Sequence, residues 1–148
     1  MKITNVECLI IDKNFPYVLI ETDQGVNGIG ECFRRAPLIT KSAVDYLFKD
    51  ILIGLNPEKI SEIWNRLFNA SSVTGPYGSL LTAVSGIDTA LWDIKLKMSK
   101  KSLSEAFGGK KKSFIDLYAS SMRRDMSPEE EAERAAYFFE KGFKFYKM

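Results

Sequence analysis

The sequence predicts an α+β protein in which an antiparallel sheet with helices comes first and a parallel β-α-β unit follows. Three β-rich runs with turn residues between them occupy the first 33 residues. Apolar residues at helical spacing dominate the next stretch, to about residue 107. Beyond residue 113, strand, helix and strand patterns alternate. The change from consecutive strands and helices to alternating strand and helix patterns predicts two different architectures in one chain.

The first three runs predict a three-stranded antiparallel meander. They span residues 3–12, 17–23 and 26–33 and are rich in β-branched and aromatic side chains. Asn14 and Pro16 interrupt the first pair of strands, and the segment TDQG forms the second turn. Short turns between neighbouring strands join them as hairpins.

Helical patterns fill the middle of the chain. Asn56 is the expected N-cap of the second helix, because Pro57 follows at the first helical position. The third helix has the strongest apolar stripe, at spacings of three and four residues. The stripe consists of Leu80, Val84, Ile87, Leu91, Ile94 and Met98. The four predicted helices span residues 40–52, 56–70, 79–98 and 103–107.

A β-α-β unit is predicted at the end of the sequence. Residues 113–120 and 143–147 have strand patterns, and residues 127–142 have a helix pattern with a serine cap and acidic first turn. A crossover of this length joins parallel strands, which need further strands and covering helices. We therefore expect that the sequence ends within an α/β domain that has only begun, and that the parent protein is longer.

Composition excludes several functional classes. The chain has 148 residues, a formal net charge of +2 and no histidine, so it contains no histidine-based triad or HExxH zinc site. The basic GKKKS segment, residues 109–113, is interpreted as a solvated linker rather than a nucleic-acid surface. Cys8 and Cys32 lack CxxC spacing. We expect two reduced thiols, a cytoplasmic location, and no nucleic-acid or membrane partner.

Other candidate motifs are interpreted as structural. Gly28 and Gly30 lack the third glycine of a dinucleotide-binding loop, and we expect them to serve hairpin geometry. Glu31, Asp88 and Asp93 could suggest acid–base chemistry. Asp88 and Asp93 lie five residues apart on one helix and diverge, so we assign them to packing.

Four segments together resemble a known family. They are ETDQGVNGIGE (21–31), SGIDTALWDIKLK (85–97), SLSEAFGG (102–109) and GFKFYKM (142–148). In this order they are similar to the N-terminal landmarks of the mandelate racemase/muconate lactonizing enzyme family of the enolase superfamily. The resemblance implies a capping domain over residues 1–110, with a three-stranded meander and helices. It also implies that residues 113–148 are the start of a modified (β/α)8 barrel, which is truncated here.

The resemblance also implies a catalytic position. The family has a K-x-K motif on its second barrel strand, and Lys147 matches its first lysine. That lysine contacts the substrate carboxylate and lowers the pKa of the second lysine, which is the base. Read from the residues alone, Lys147 is interpreted as an edge lysine that discourages aggregation, and the resemblance reverses that interpretation. The family's Mg²⁺ ligands lie on later barrel strands, so Mg²⁺ is expected in the parent and no metal in this chain.

Substrate-binding positions are carried over from the same resemblance. Ser120 matches a position that binds the substrate carboxylate in some members, although it could simply begin a loop. The two cap loops that close over substrate would be residues 12–17, with Phe15, and residues 32–37. The second loop contributes Phe33, Arg34 and Arg35. The arginines suit an anionic or polyhydroxylated acid, or they are solvated surface residues.

Two functions remain open from the sequence. The first is the N-terminal part of a Mg²⁺-dependent acid-sugar dehydratase, or of a related racemase or cycloisomerase, acting on a small carboxylate as a homo-oligomer. The second is a stand-alone, non-catalytic binding module with the cap fold. A lysine immediately after Met148, followed by further βα units, would favour the first.

Overall fold

The computed structural model describes residues 1–109 and 112–148. The chain divides into two units, Met1–Gly108 and Gly109–Met148. Lys110 and Lys111 belong to the predicted linker and lie outside the described residues. Within the two described ranges, no helix has the length and apolar character needed to cross a membrane.

The first unit begins with the predicted meander, which the structure confirms. Strands β1 (Ile3–Ile11), β2 (Phe15–Thr22) and β3 (Gly28–Glu31) are hydrogen-bonded in that order, and both pairs are antiparallel. Every second residue of β2 points into the core, as period-two alternation requires. Val18 and Ile20 are completely buried there.

The next helical region is longer and less regular than predicted. It begins with α1 (Pro37–Ser42), continues as a π-helical segment (Ala43–Phe48) and ends with α2 (Lys49–Leu52). Phe48 and Leu52 are fully buried against the sheet. A π-helical turn inserts one residue per turn and so rotates the following face of the helix.

Helix α3 (Ile60–Ala70) starts four residues later than the predicted cap. The prediction of Asn56 as N-cap is wrong, because its side chain makes a local turn instead. The Asn56 Oδ1 atom accepts a hydrogen bond from the Glu58 N–H at 3.0 Å. Asparagine side chains often accept hydrogen bonds from nearby backbone N–H groups in this way. Here the Asn56 oxygen is already bonded within the turn and does not cap the helix.

Helix α4 (Ser79–Ser99) carries the predicted stripe into the core, and the short α5 (Leu103–Ala106) follows. The stripe residues Val84, Ile87, Leu91 and Ile94 are at most 2% exposed. Met98 at the end of the stripe is 42% exposed. The core therefore lies between the inner face of the sheet and these helices.

Backbone contact between β3 and α4 explains the glycines of the GIG segment. A Cβ atom at Gly28 would overlap the Ala90 carbonyl, and one at Gly30 would overlap the Gly86 carbonyl. Neither glycine has a positive φ, so the expectation that they serve hairpin geometry is wrong. A Cβ at Gly86 would in turn overlap the Cys32 sulfur. The strand and helix approach more closely than any side chain allows.

Helical side chains satisfy the outer edge of β1. The Asp45 carboxylate accepts a hydrogen bond from the Cys8 N–H at 2.9 Å. Lys41, one turn earlier, donates to the Cys8 carbonyl and to the Asp45 carboxylate. The ladder groups of Cys8 are thus paired without another strand.

Side chains of α4 hydrogen-bond to backbone groups at the opposite edge of the sheet, along β3. Asp93 accepts from the Ile29 N–H at 2.9 Å, and Lys97 donates to the Asn27 carbonyl at 2.8 Å. Asp93 and Lys97, four residues apart on α4, also form an ion pair of 2.7 Å. The structural assignment of Asp93 is therefore correct.

The second unit is the predicted parallel β-α-β arrangement. Strands β4 (Tyr118–Ser120) and β5 (Phe145–Lys147) are paired in parallel, and α6 (Pro128–Glu140) connects them. Ser127 caps α6 in a reciprocal pair with Glu130, as the acidic first turn predicted.

Strand β4 is shorter than the predicted run of residues 113–120. Phe114, Ile115 and Leu117 are between 68% and 78% exposed and lie outside the paired segment. Pairing is limited by the neighbour, because β5 offers only three residues to it. A β-rich sequence forms a ladder only where a partner strand lies alongside.

Replacing Gly30 with alanine tests the close approach of β3 and α4. The new Cβ would overlap the Gly86 carbonyl, a backbone atom that cannot move aside. We expect the free energy of unfolding to fall by about 3 kcal/mol, measured by urea denaturation. Gly25→Ala is the control, since no atom lies within 4 Å of its Cβ position and its φ of +74° predicts a loss of only about 1 kcal/mol. Equal losses in the two variants would contradict the packing argument.

Candidate functional site: the strand ends and the cap loops

Ser120 and Lys147 lie side by side at the carboxyl ends of two parallel strands. They are direct partners in the β4–β5 register, and the Ser121 N–H donates to the Lys147 carbonyl at 2.9 Å. Carboxyl ends of parallel barrel strands are where active-site residues of (β/α)8 enzymes lie. The hydroxyl and the ammonium group can therefore reach one ligand at this edge.

Alternation along the strands separates the two faces of this small sheet. Ala119 is buried, and the Tyr146 hydroxyl reaches α6 by a hydrogen bond to Glu131, so these two residues face the helix. Tyr118 and Lys147 face the other way and are exposed. The Lys147 ammonium lies 6.0 Å from the centre of the Tyr118 ring.

In the first unit, three of the four proposed cap-loop residues line one cavity. Phe15, Arg34 and Arg35 surround it together with Asn14, and its volume is about 260 Å³. Phe33 does not line it and is 59% exposed. Two guanidinium groups and an amide beside an aromatic ring can bind a polyhydroxylated anion.

The β1–β2 turn and a hydrogen bond to β2 position the two loops that line the cavity. The first predicted loop is shorter than residues 12–17, because Phe15 already belongs to β2. Asp12 and Lys13 form the tight turn, both at positive φ. At the other side, the Cys32 N–H donates to the Pro16 carbonyl at 2.8 Å and ties the second loop to β2.

Asn14 is a lining residue that sequence reasoning missed. It lies within the predicted loop of residues 12–17, but only Phe15 of that loop was proposed as a binding residue. Its neighbour Phe15 was the available signal, since a residue between a tight turn and a proposed binding residue lies at the same rim. Its amide can both donate and accept hydrogen bonds to hydroxyl groups.

Burial raises the pKa of both cysteine thiols of the first unit. Both cysteines lie in the described part of the chain, are free and are buried. Burial raises the pKa of Cys8 to about 11, with the Asp45 carboxylate adding to the rise and Lys41 opposing it. Burial also raises the pKa of Cys32 to about 12, helped by nearby Cys8 and opposed by a hydrogen bond at Gly86. Neither thiol is a nucleophile near neutral pH.

Comparison with known proteins identifies the family. The family model for the mandelate racemase/muconate lactonizing enzyme N-terminal domain matches residues 10–108. The chain belongs to this family. It is 35% identical to the D-galactonate dehydratase family member RspA of Cellvibrio japonicus, over 97% of this chain and 36% of that protein. It is 42% identical to a D-galactarolactone cycloisomerase of Agrobacterium fabrum, over 73% of this chain and 28% of that protein.

A solved structure supports the same assignment. An enolase from Pantoea ananatis with bound D-gluconate and Mg matches with a TM-score of 0.83 at 33% identity, over 98% of this chain and 35% of that one. The chain thus spans about a third of the length of the proteins it matches. Both units, the cap and the opening β-α-β unit, fall within the matched region.

Among the described residues, the acidic side chains do not form a metal centre. Within residues 1–109 and 112–148, no three His, Cys, Asp or Glu side chains are placed to hold a metal ion. Glu31 accepts a hydrogen bond from the Tyr17 hydroxyl at 3.2 Å. Burial raises the pKa of Asp88, which lies among Trp64 and Trp92 rather than beside other carboxylates. These described residues do not fit Mg²⁺.

The raised thiol pKa values predict a specific alkaline instability. A raised pKa in the folded state means that the protonated thiols are favoured by folding. Their contribution is complete below pH 9.0 and is lost as the pH rises towards about 12. A Cys8→Ala/Cys32→Ala variant should therefore lose less unfolding free energy than the wild type between pH 7 and about pH 11. Parallel curves for the two proteins in urea titrations would contradict this assignment.

Proposed function

We propose that this chain is the N-terminal part of a Mg²⁺-dependent enzyme that removes the proton α to the carboxylate of a sugar acid, as a dehydratase. The observation that carries the proposal is the pairing of Ser120 with Lys147 at the carboxyl ends of β4 and β5. Support also comes from the dehydratase relatives and from the gluconate and Mg in the Pantoea structure.

The chemistry explains why an exposed lysine belongs at this position. Removing a proton next to a carboxylate places additional negative charge on that group. An ammonium group at Lys147, with a hydroxyl at Ser120 beside it, binds a carboxylate and stabilises the added charge. In a parent protein with the K-x-K motif of the family, this positive charge would also lower the pKa of the second lysine, because two residues at that spacing point to one face of a strand.

In the cap, we propose that Phe15, Arg34 and Arg35 bind the polar part of the substrate, with Asn14 as a further partner. Their common cavity in the first unit supports this role. Phe33 is proposed as a contact residue of the same loop. Its exposed ring lies next to Arg34 in sequence and can cover an apolar face of a sugar.

A cycloisomerase is the second candidate, and one observation favours it. The identity to the Agrobacterium cycloisomerase, 42%, is higher than that to the Cellvibrio protein, although it covers less of this chain. A mass spectrum of the product separates the two functions. Loss of water from the sugar acid indicates a dehydratase, whereas a product of unchanged mass indicates a cycloisomerase.

We also propose domain limits of 1–110 and 113–148 and a cytoplasmic location. The observed division after Gly108 supports the limits. The free, buried cysteines support a reducing compartment, in which thiols persist.

Lys147→Met tests the catalytic role in a protein that carries this chain as its N-terminal part. We expect kcat/KM on sugar acids to fall on the order of a hundredfold, because charge binding to the carboxylate is lost. Lys144→Met is the matched control, since Lys144 is exposed, immediately precedes β5 and pairs with Asp116 at 3.0 Å. Wild-type turnover and α-proton exchange in Lys147→Met would refute the assignment.

We further propose that the protein is a homo-oligomer. Exposed apolar side chains of the second unit support this, among them Phe114, Ile115 and Leu117. Exposed apolar side chains of this kind favour association. Sedimentation velocity of the chain should therefore give a species heavier than its 16.8 kDa monomer. A Phe114→Ser/Ile115→Ser variant should shift the distribution towards the monomer, and a concentration-independent monomer in the wild type would contradict the proposal.

A further inference from the structure

The Glu131 carboxylate of α6 links the residue that follows β4 to the middle of β5. It accepts a hydrogen bond from the Ser121 hydroxyl at 3.0 Å and another from the Tyr146 hydroxyl at 2.8 Å. Ser121 follows β4 directly, and Tyr146 is the central residue of β5. One side chain of α6 therefore holds both strands at the edge where Ser120 and Lys147 lie.

The Ser121 hydroxyl is buried and therefore needs a hydrogen-bond acceptor within the protein. Ser121 is 2% exposed, so its hydroxyl has little access to water. The same hydroxyl oxygen accepts from the Arg123 N–H at 3.3 Å, which fixes the start of the loop after β4. Removing the acceptor of a buried hydroxyl costs more free energy than removing that of an exposed one. The charge of the Glu131 carboxylate strengthens its hydrogen bonds with Ser121 and Tyr146.

The position of Glu131 distinguishes it from its acidic neighbours. Glu130 makes the reciprocal cap with Ser127, and such first-turn acids stabilise a helix by their charge alone. Glu131 lies beyond that pair, and its carboxylate is directed at the strands instead. Its role therefore cannot be replaced by another acid of the same turn.

We propose that Glu131 is a positioning residue for Ser120 and Lys147. The carboxylate fixes Ser121 and Tyr146, and each of these is the immediate chain neighbour of one site residue. The Ser121 N–H also donates to the Lys147 carbonyl at 2.9 Å, so Glu131 fixes the register of the pair. The consequence for catalysis rests on the proposed function, whereas the consequence for strand register does not.

The first experiment measures amide hydrogen exchange in this chain by NMR. In Glu131→Ala, protection of the Ser121 amide should fall by about tenfold or more, as expected when a charged hydrogen-bond acceptor is lost. Glu131→Gln should restore most of it, because its carbonyl can accept from Tyr146 and its amide can donate to the Ser121 hydroxyl. Glu133→Ala is the control, since Glu133 is an exposed acid on the same helix.

Each outcome of this first experiment decides the structural half of the proposal. If the Ser121 amide loses protection in Glu131→Ala but not in Glu133→Ala, and Glu131→Gln restores it, the result supports positioning by hydrogen bonds. An equal loss in Glu133→Ala indicates general weakening of α6 and overturns the proposal. Unchanged protection of Ser121 in Glu131→Ala also overturns it.

The second experiment measures kinetics in a protein that carries this chain as its N-terminal part. Glu131→Ala should lower kcat on the order of tenfold to a hundredfold, the size expected for a misplaced catalytic group. KM should change much less, and glutamine should rescue kcat. Unchanged kcat in Glu131→Ala overturns the catalytic half. An inactive wild type overturns the proposed function itself, while the exchange experiment still decides the role of Glu131.

Discussion

Direct backbone contact between β3 and α4 is the constraint on which the first unit depends. Gly28 and Gly30 on the strand face Ala90 and Gly86 on the helix, and there is no room for a side chain between them. This close approach places the helix stripe deep against the sheet, where its aliphatic side chains are excluded from water. It also places the Cys32 sulfur against Gly86 of α4, at the start of the second loop, residues 32–37.

Once the sheet is fixed in this way, its two open edges must be satisfied. An aspartate and a lysine four residues apart serve each edge, Lys41 with Asp45 at β1 and Asp93 with Lys97 at β3. As ion pairs they are partly exposed and contribute little. Their hydrogen bonds to strand groups matter more, because they occupy positions where another strand could otherwise add.

The second unit depends on a different device, the carboxylate of Glu131. Two short parallel strands have few ladder bonds of their own, and aromatic packing of Phe138 against Phe143 and Tyr146 covers only the helix side. The carboxylate links both strands at the end where Lys147 is exposed. Register and helix placement are therefore coupled at the proposed site.

The sequence by itself determined the order and type of the elements, and the family resemblance supplied the candidate residues. Turn residues marked the meander, and the stripe from Leu80 onward marked α4, because these signals are local and repeat at the period of the structure. The serine cap and acidic first turn of α6 were equally legible. Boundaries failed where a side chain had two possible partners, as when Asn56 formed a turn instead of a cap.

Only the tertiary structure decided what brings distant residues together. The closeness of Gly30 to Gly86, the convergence of Asn14 with Arg34 and Arg35, and the two partners of Glu131 all join residues that are far apart in the chain or on different elements. The sequence does not distinguish a glycine required for close packing from one required for a turn. It also does not distinguish a first-turn glutamate that stabilises the helix dipole from one that hydrogen-bonds to two strands. The distinction lies in which atoms lie opposite, and that is set by packing between elements.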